Sequence, residues 1–267
     1  MSRVFDCFTY FNESTFLEFR LKYLMPVVDI FVIAESAFTF TGRKKEFSAR
    51  AVCERQPAEV RKKIRLLELT DAPKGTASNA CNWSREKYQR DALVRGMFDI
   101  EEDDLLIIAD IDEVPDIKLL PIVAGKMRTG SFPSVVNLSM HMFYYRADNQ
   151  MIINDQPVIW THPKLLFSSH LTTPDNIRCS SNNFESTNPV GWHFSYMGGS
   201  AQIKKKIMNF SHQEFNKEEI LNKLGQNISD NTDIFSRSQF AYREADKDEL
   251  PQLLMQEHFK DFFFPES

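Results

Sequence analysis

The chain has 267 residues, 42% hydrophobic and 26% charged, with 32 Lys plus Arg against 37 Asp plus Glu for a net charge of -5. Such a chain can bury a core, which excludes a mainly disordered protein, and its acidic balance excludes a long-range pull toward nucleic acid. Cys7, Cys53, Cys81 and Cys179 match neither a zinc spacing nor a disulfide framework, so a reducing, cytoplasmic setting is expected.

The amino terminus "MSRVFDCFTYFNES" has no basic segment leading into a long apolar stretch, and no apolar run approaches the roughly 18 residues of a membrane span. Asn-x-Ser sequons at Asn12, Asn82, Asn137, Asn209 and Asn227 would matter only in a secreted chain and are read as chance. Residues 3 to 10 predict a strand, 13 to 25 a helix with Leu17, Leu21 and Leu24 on one side, and 28 to 34 a second strand. A third strand is expected over 64 to 69, then a helix from about 84 to 98 capped by Ser84, then a strand ending in acids. This alternation predicts right-handed βαβ units and a mainly parallel sheet flanked by helices.

The acidic strand reads "LLIIADIDEVP", residues 105 to 115. Five apolar or small residues without alternation suit a strand covered on both faces, and Pro115 ends regular pairing. Asp110, Asp112 and Glu113 at its mouth repel one another, and a divalent cation with oxygen ligands would relieve that repulsion. The blander alternative is a set of turn or helix caps.

In a parallel sheet, residues that follow strands and residues that open helices share the carboxyl edge. Asn12 and Glu13, Glu35 and Ser36, Asp71, and the acids at 110 to 113 follow the four strands, while Asn82, Trp83, Ser84 and Arg85 open a helix. Caps explain Ser84 and Asn12 well, but Trp83 and the triple acid poorly. A nucleotide pocket accounts for all of them.

The second half has another texture. Residues 134 to 146, "SVVNLSMHMFYYR", alternate as a half-buried strand, and "ADNQ" turns it into a hairpin that returns near "PVIWTHPKLLF". "GWHFSYM" is a further strand with an aromatic set read as core. Gly198 and Gly199 then lead into a helix capped by Ser200, with Ile203, Ile207 and Phe210 inward and Lys204, Lys205 and Lys206 largely outward. A glycine pair entering a helix lets backbone amides approach a phosphate. "LPQLLMQEHFKDFFF" is expected to be a helix packed on the body.

The blocks "FDCFTYFNESTFLEFRL", "VVDIFVIAESAFTFTGRKK", "NWSREKYQRDAL", "DDLLIIADIDEVP" and "GWHFSYMGG" together resemble glycosyltransferase family 17 over roughly residues 3 to 215. The resemblance implies a single GT-A domain: residues 1 to 115 bind the nucleotide sugar, 116 to 215 form the acceptor side, and 216 to 267 form a helical tail. It also implies a UDP-sugar donor (UDP-GlcNAc in the characterised branch), Mn2+ or Mg2+, and inversion at the anomeric carbon.

Asp110 and Asp112 match the family's Asp-x-Asp, with Asp112 expected on the metal, Asp110 on ribose or metal, and Glu113 as second choice. Arg85 and Arg90 are candidates to stabilise the departing diphosphate, and their bland role is solvated helix charge. His193 is a candidate late metal ligand or a structural histidine. For the base that takes the acceptor's proton, Asp155, His193, His212 and Glu214 stand open. The chain lacks the stalk and anchor of Golgi relatives, so a bacterial or viral enzyme acting on a cell-surface glycan, a lipid-linked sugar or another saccharide fits better than a glycoprotein modifier. Two rivals are a catalytically silent sugar-nucleotide or glycan-binding module and a metal-dependent phosphohydrolase. The latter is disfavoured because Glu113 and Val114, not Gly-Thr, follow Asp112.

Overall fold

A computed structural model of the chain describes residues 2–73, 79–181 and 184–265, with backbone alone over 79–82. Cys81 and the Asn82 side chain therefore lie outside what is described. In chain order the first elements are β1 (Val4–Tyr10), α1 (Ser14–Leu24), β2 (Ile30–Ser36), α2 (Ala49–Glu54), α3 (Ala58–Arg61), β3 (Ile64–Leu69), α4 (Asn79–Asp91), β4 (Leu105–Asp110) and β5 (Glu113–Pro115). There follow α5 (Leu120–Arg128), β6 (Val135–Asn137), β7 (Met140–Tyr144), β8 (Asn149–Ile153), β9 (Gln156–Pro157), β10 (Ile159–Trp160), β11 (Lys164–Phe167), α6 (Pro174–Cys179) and β12 (Phe184–Glu185). The last are β13 (Gly191–Ser195), α7 (Gly199–Asn209), α8 (Glu218–Ser229), β14 (Ala241–Glu244) and α9 (Glu257–Phe263).

The architecture is mixed α/β with two sheets. The first has the order β12-β6-β11-β4-β1-β2-β3. Strands β4, β1, β2 and β3 run parallel, and β11 is antiparallel to β4. Strand β4 is covered on both faces: Leu105, Ile107 and Ala109 enter one core with α1 and α2, and Leu106 and Ile108 enter another with Leu93 and Met97. That two-sided burial is why its sequence does not alternate.

The order 4-1-2-3 contains one reversal. The chain steps outward from β1 to β2 to β3, then returns through α4 to place β4 on the other side of β1. The switch point between β1 and β4 opens a crevice beyond their carboxyl ends, where ligands of open α/β sheets bind.

Three details differ from the sequence reading. The run 134 to 146 is two strands in different sheets: β6 pairs with β11 in the first, and β7 with β13, β8 and β10 in the second. Leu138 and Ser139 form the crossing, buried to 0% and 4% exposure, so both halves are apolar without continuing one ladder. Helix α4 begins at Asn79, which leaves Ser84 inside it rather than at its cap. The residue capping α7 is Gly198, in the left-handed region at φ 87°, instead of Ser200.

The second sheet has the order β14-β8-β7-β13-β5, and β13 is buried throughout. Helix α9 docks on α1 through Phe259 and Phe263, both 0% exposed, with Phe263 centred 5.0 Å from the Phe16 and Phe19 rings.

Candidate functional site

The turn after β4 is held from below by a side chain of α1. Arg20 lies in the apolar stripe with Leu17, Leu21 and Leu24, one helical turn beyond Leu17, and is fully buried. Its Nε and Nη2 donate to Asp6 at 2.8 and 2.6 Å, and its Nη1 donates to the carbonyls of Asp110, Ile111 and Glu113 at 3.2, 3.0 and 2.5 Å. A planar guanidinium thus fixes the backbone that presents the three acids.

Each acid meets different partners. Glu113 is fully buried: it accepts Arg178 Nη1 and Nη2 at 2.6 Å each, the Asp110 amide at 2.7 Å and the Trp160 indole N–H. It is a structural anchor. Asp110 accepts Arg178 Nη2 at 2.8 Å and Arg90 Nη2 at 3.4 Å, yet its side chain stays 35% exposed. Asp112 is 9% exposed; Lys206 Nζ donates to its Oδ2 at 2.6 Å, and His193 Nε2 stands 3.6 Å from the same oxygen.

These charges are fixed near neutral pH. Burial would raise the Asp112 carboxyl, but Lys206 and then His193 outweigh it and hold it far below the usual carboxylate range. Asp110 is likewise held down against burial by Arg178 and Arg90. Burial opposes the Lys206 ammonium, and Asp112 more than restores it.

Helix α7 spans the switch point. Gln202 Nε2 donates to Asn12 Oδ1 beyond β1 at 3.4 Å, while Lys206 reaches Asp112 beyond β4. Glu13 accepts the amides of Phe11 and Asn12 at 3.1 and 2.9 Å and lines, with Asp112, Tyr196, Gln202 and Lys206, a recess of about 20 Å³. That space holds about one water. A larger ligand must therefore approach the outer side, where Asp110 is open.

There the structure gathers several sequence-predicted residues. Arg90 bonds Glu86 at 2.7 Å and Asp175 at 2.6 Å, and Glu86 accepts the Ser211 hydroxyl. Next along the chain, His212 meets Trp83 at 4.8 Å between ring centres, edge to face, and its Nδ1 bonds Glu214 at 2.7 Å. Trp83 is 44% exposed. Burial would raise the Glu214 carboxyl, but its hydrogen bonds, first that with His212, leave it lowered. The buried Arg90 Nε and His193 Nδ1 have no hydrogen-bond partner.

Other candidates lie elsewhere. Glu35 is fully buried, paired with Lys45, and accepts the amides of Ser48 and Ala49 at the start of α2. Ser36 Oγ accepts the Phe38 amide at 3.1 Å. Arg85 donates to the carbonyls of Pro73 and Phe40 at 3.1 and 2.9 Å, tying together the loops after β2 and β3. Asp71 pairs with Arg95 at the surface. Asp155 is exposed in the β8–β9 turn at φ 62°. Gly198 abuts Phe262, and Gly199 lines a separate cavity described below.

The sequence reading missed Arg20, Arg178 and Trp160, and placed Lys206 largely outward. Arg20 had a signal, a charge inside an apolar stripe. Lys206 had one too, three residues past the inward Ile203. Arg178, on a six-residue helix in an irregular stretch, had none.

The donor set does not fit a divalent cation as arranged. Both carboxylates of the Asp-x-Asp are paired with cationic side chains, and a metal on Asp112 would first have to displace Lys206. Among the described residues, no three His, Cys, Asp or Glu side chains are grouped to hold a metal, and no helix is long and apolar enough to cross a membrane.

Residues 1–249 match the family model described as glycosyltransferase family 17. Two curated relatives, the beta-1,4-mannosyl-glycoprotein 4-beta-N-acetylglucosaminyltransferases of Homo sapiens and Rattus norvegicus, are each 30% identical over 118 residues. That stretch is 42% of this chain and 22% of each relative, so the match spans less than a quarter of their length.

Proposed function

The chain belongs to glycosyltransferase family 17, and from that premise we propose that it moves a sugar, GlcNAc before others, from a UDP-sugar to a saccharide hydroxyl with inversion. A GT-A arrangement working as one transferase unit, with the donor on residues 1 to 115, belongs to the same proposal. The observation that carries it is the pairing, beyond β4 at the switch point between β1 and β4, of the open Asp110 with Arg90 and of Asp112 with Lys206.

Each group has a task under this reading. Asp110, ionised and accessible, accepts hydrogen bonds from ribose hydroxyls. Lys206 and Arg90 face the charge that grows on the leaving diphosphate. Trp83 offers a face to the nucleotide. The His212–Glu214 pair is the proton acceptor for the attacking hydroxyl, because a base with an orienting partner beside it has the required architecture.

Mn2+ or Mg2+ dependence is the finer part that the assay decides, and an ion on Asp112 would require Lys206 to withdraw from it. A cytoplasmic setting is supported by Cys7, Cys53 and Cys179 standing as free thiols.

The test is a panel of nucleotide sugars assayed for UDP release, with Mn2+, with Mg2+ and with a chelator. UDP released from a UDP-sugar, faster with a saccharide acceptor, is the expected result. Binding of UDP-sugar without turnover on any glycan would leave the silent module standing, and phosphate release from monoesters would leave the hydrolase.

A further inference from the structure

Away from Asp112 the fold encloses a second, far larger space, a cavity of about 390 Å³ between the β7–β8 turn, the first turn of α7 and α8. That volume lies in the range of sites that enclose small molecules, about 300 to 1,000 Å³. We propose that it binds a neutral oligosaccharide, the part of the acceptor distant from the reacting hydroxyl; this rests on the transferase reading for its role, though not for its chemistry.

Three features carry the proposal. The first is the lining chemistry. Tyr145, Ile203 and Ile228 give apolar contact, and Asn231, Ser200 and Ser229 give polar groups, the combination that suits a sugar's C–H faces and hydroxyls. The charged lining is Arg146 against Asp148 and Glu244, one excess negative charge, which disfavours a phosphate and leaves a polyol.

The second feature is backbone built at a cost. Tyr145 and Asn231 line the cavity at φ 66° and 51°, a region that is unfavourable for a tyrosine. Asn149 and Asn231 hold this geometry by a reciprocal amide pair, at 2.7 and 3.2 Å. Such outliers concentrate where ligands are clamped. Gly199 and Gly225 face open space, since a Cβ at either would meet no atom within 4 Å.

The third feature is position. Ile203 lines both this cavity and the recess beside Asp112. From Ser200 at the cavity to Lys206 at Asp112 is six residues of α7, about 9 Å along the helix. The cavity and the Asp112 recess thus lie on the same helix and share Ile203 as a wall.

Gly225→Phe would fill the cavity from α8, with Gly225→Ala as the control that leaves it open. Saturation-transfer NMR and titration with mannotriose and N-acetylchitotriose read oligosaccharide binding, and UDP titration reads the donor side. We expect wild type and Gly225→Ala to bind at least one probe, and Gly225→Phe to lose roughly tenfold or more in that affinity with its UDP affinity unchanged. Undiminished binding by Gly225→Phe, or no binding of either probe by wild type, overturns the proposal. If Gly225→Phe does not fold, Ser229→Trp at the same wall takes its place. Oligosaccharide binding lost in the filled variant while no UDP-sugar is turned over would sink the transferase reading and leave the cavity assignment intact.

Discussion

Arg20 and Asp6 form an ion pair at 2.6 Å with both side chains at 0% exposure, directly beneath the turn that carries Asp110 and Asp112. The pair has no solvent to fall back on. Removing Arg20 leaves a buried carboxylate uncompensated and three carbonyls without their donor, a loss of about 3–5 kcal/mol. Arg20→Met should lower the melting temperature by on the order of 10 °C and weaken UDP binding. Asp6→Asn/Arg20→Met should recover part of the stability, as a double-mutant cycle by denaturant unfolding would read; additive losses would contradict the pairing.

Lys206 gives a prediction about donor affinity. Its side chain is 30% exposed and donates to Asp112 at 2.6 Å. Under the proposed function, Lys206→Met should weaken UDP binding by roughly tenfold, the scale of one charge-assisted hydrogen bond. Lys206→Arg should recover part of it. Calorimetric titration with UDP, with and without Mn2+, is the measurement. Unchanged affinity in Lys206→Met would remove this side chain from the donor site.

Lys164 sets a pH dependence. It is 2% exposed with a 3.4 Å contact to the Thr161 carbonyl, and burial, then Arg178, bring its ammonium down to about 8 from an ordinary 10.5. Below about 8 both folded and unfolded chains hold this proton, and the full penalty applies. Between about 8 and 10.5 the unfolded chain holds more of it, so this residue's contribution to stability rises with pH across that window. Lys164→Met should add about 1–3 kcal/mol at pH 7 and flatten the rise. Urea midpoints of both proteins from pH 7 to 10 would show it, and parallel curves would refute it.

Two glycines should respond with opposite signs to alanine. At Gly198, φ is 87° and a Cβ would stand 2.5 Å from the Phe262 ring. Gly198→Ala should therefore cost about 1–3 kcal/mol and loosen α9. Gly225 lies inside α8 with open space around it, so Gly225→Ala should gain about 0.5–1 kcal/mol. Chemical denaturation of the two variants separates them.

Much of the parallel half was legible in the sequence because its signals are local. Leu105 through Ala109 announce a strand covered twice, and the acids after it announce an edge. Pairing was not legible, because nothing local distinguishes a carboxylate that will meet a metal from one that will meet Arg178 or Lys206. Those partners sit 68 and 94 residues away along the chain. The strand 134 to 146 misled for a related reason. Alternation reports which residues are buried, and Val136 and Met142 are buried in different cores.

The crossing at Leu138 and Ser139 has its own consequence. Ser139 is clasped on both sides by Ser186, its amide donating to Oγ at 3.0 Å and its hydroxyl to the carbonyl at 3.1 Å. Two residues, without slack, therefore join one ladder to the other, and an inserted residue there would throw every later side chain of β7 to the wrong face. Length variation can be absorbed instead at the exposed bend of Asn154 and Asp155, which makes that bend the natural place to graft a tag or a reporter.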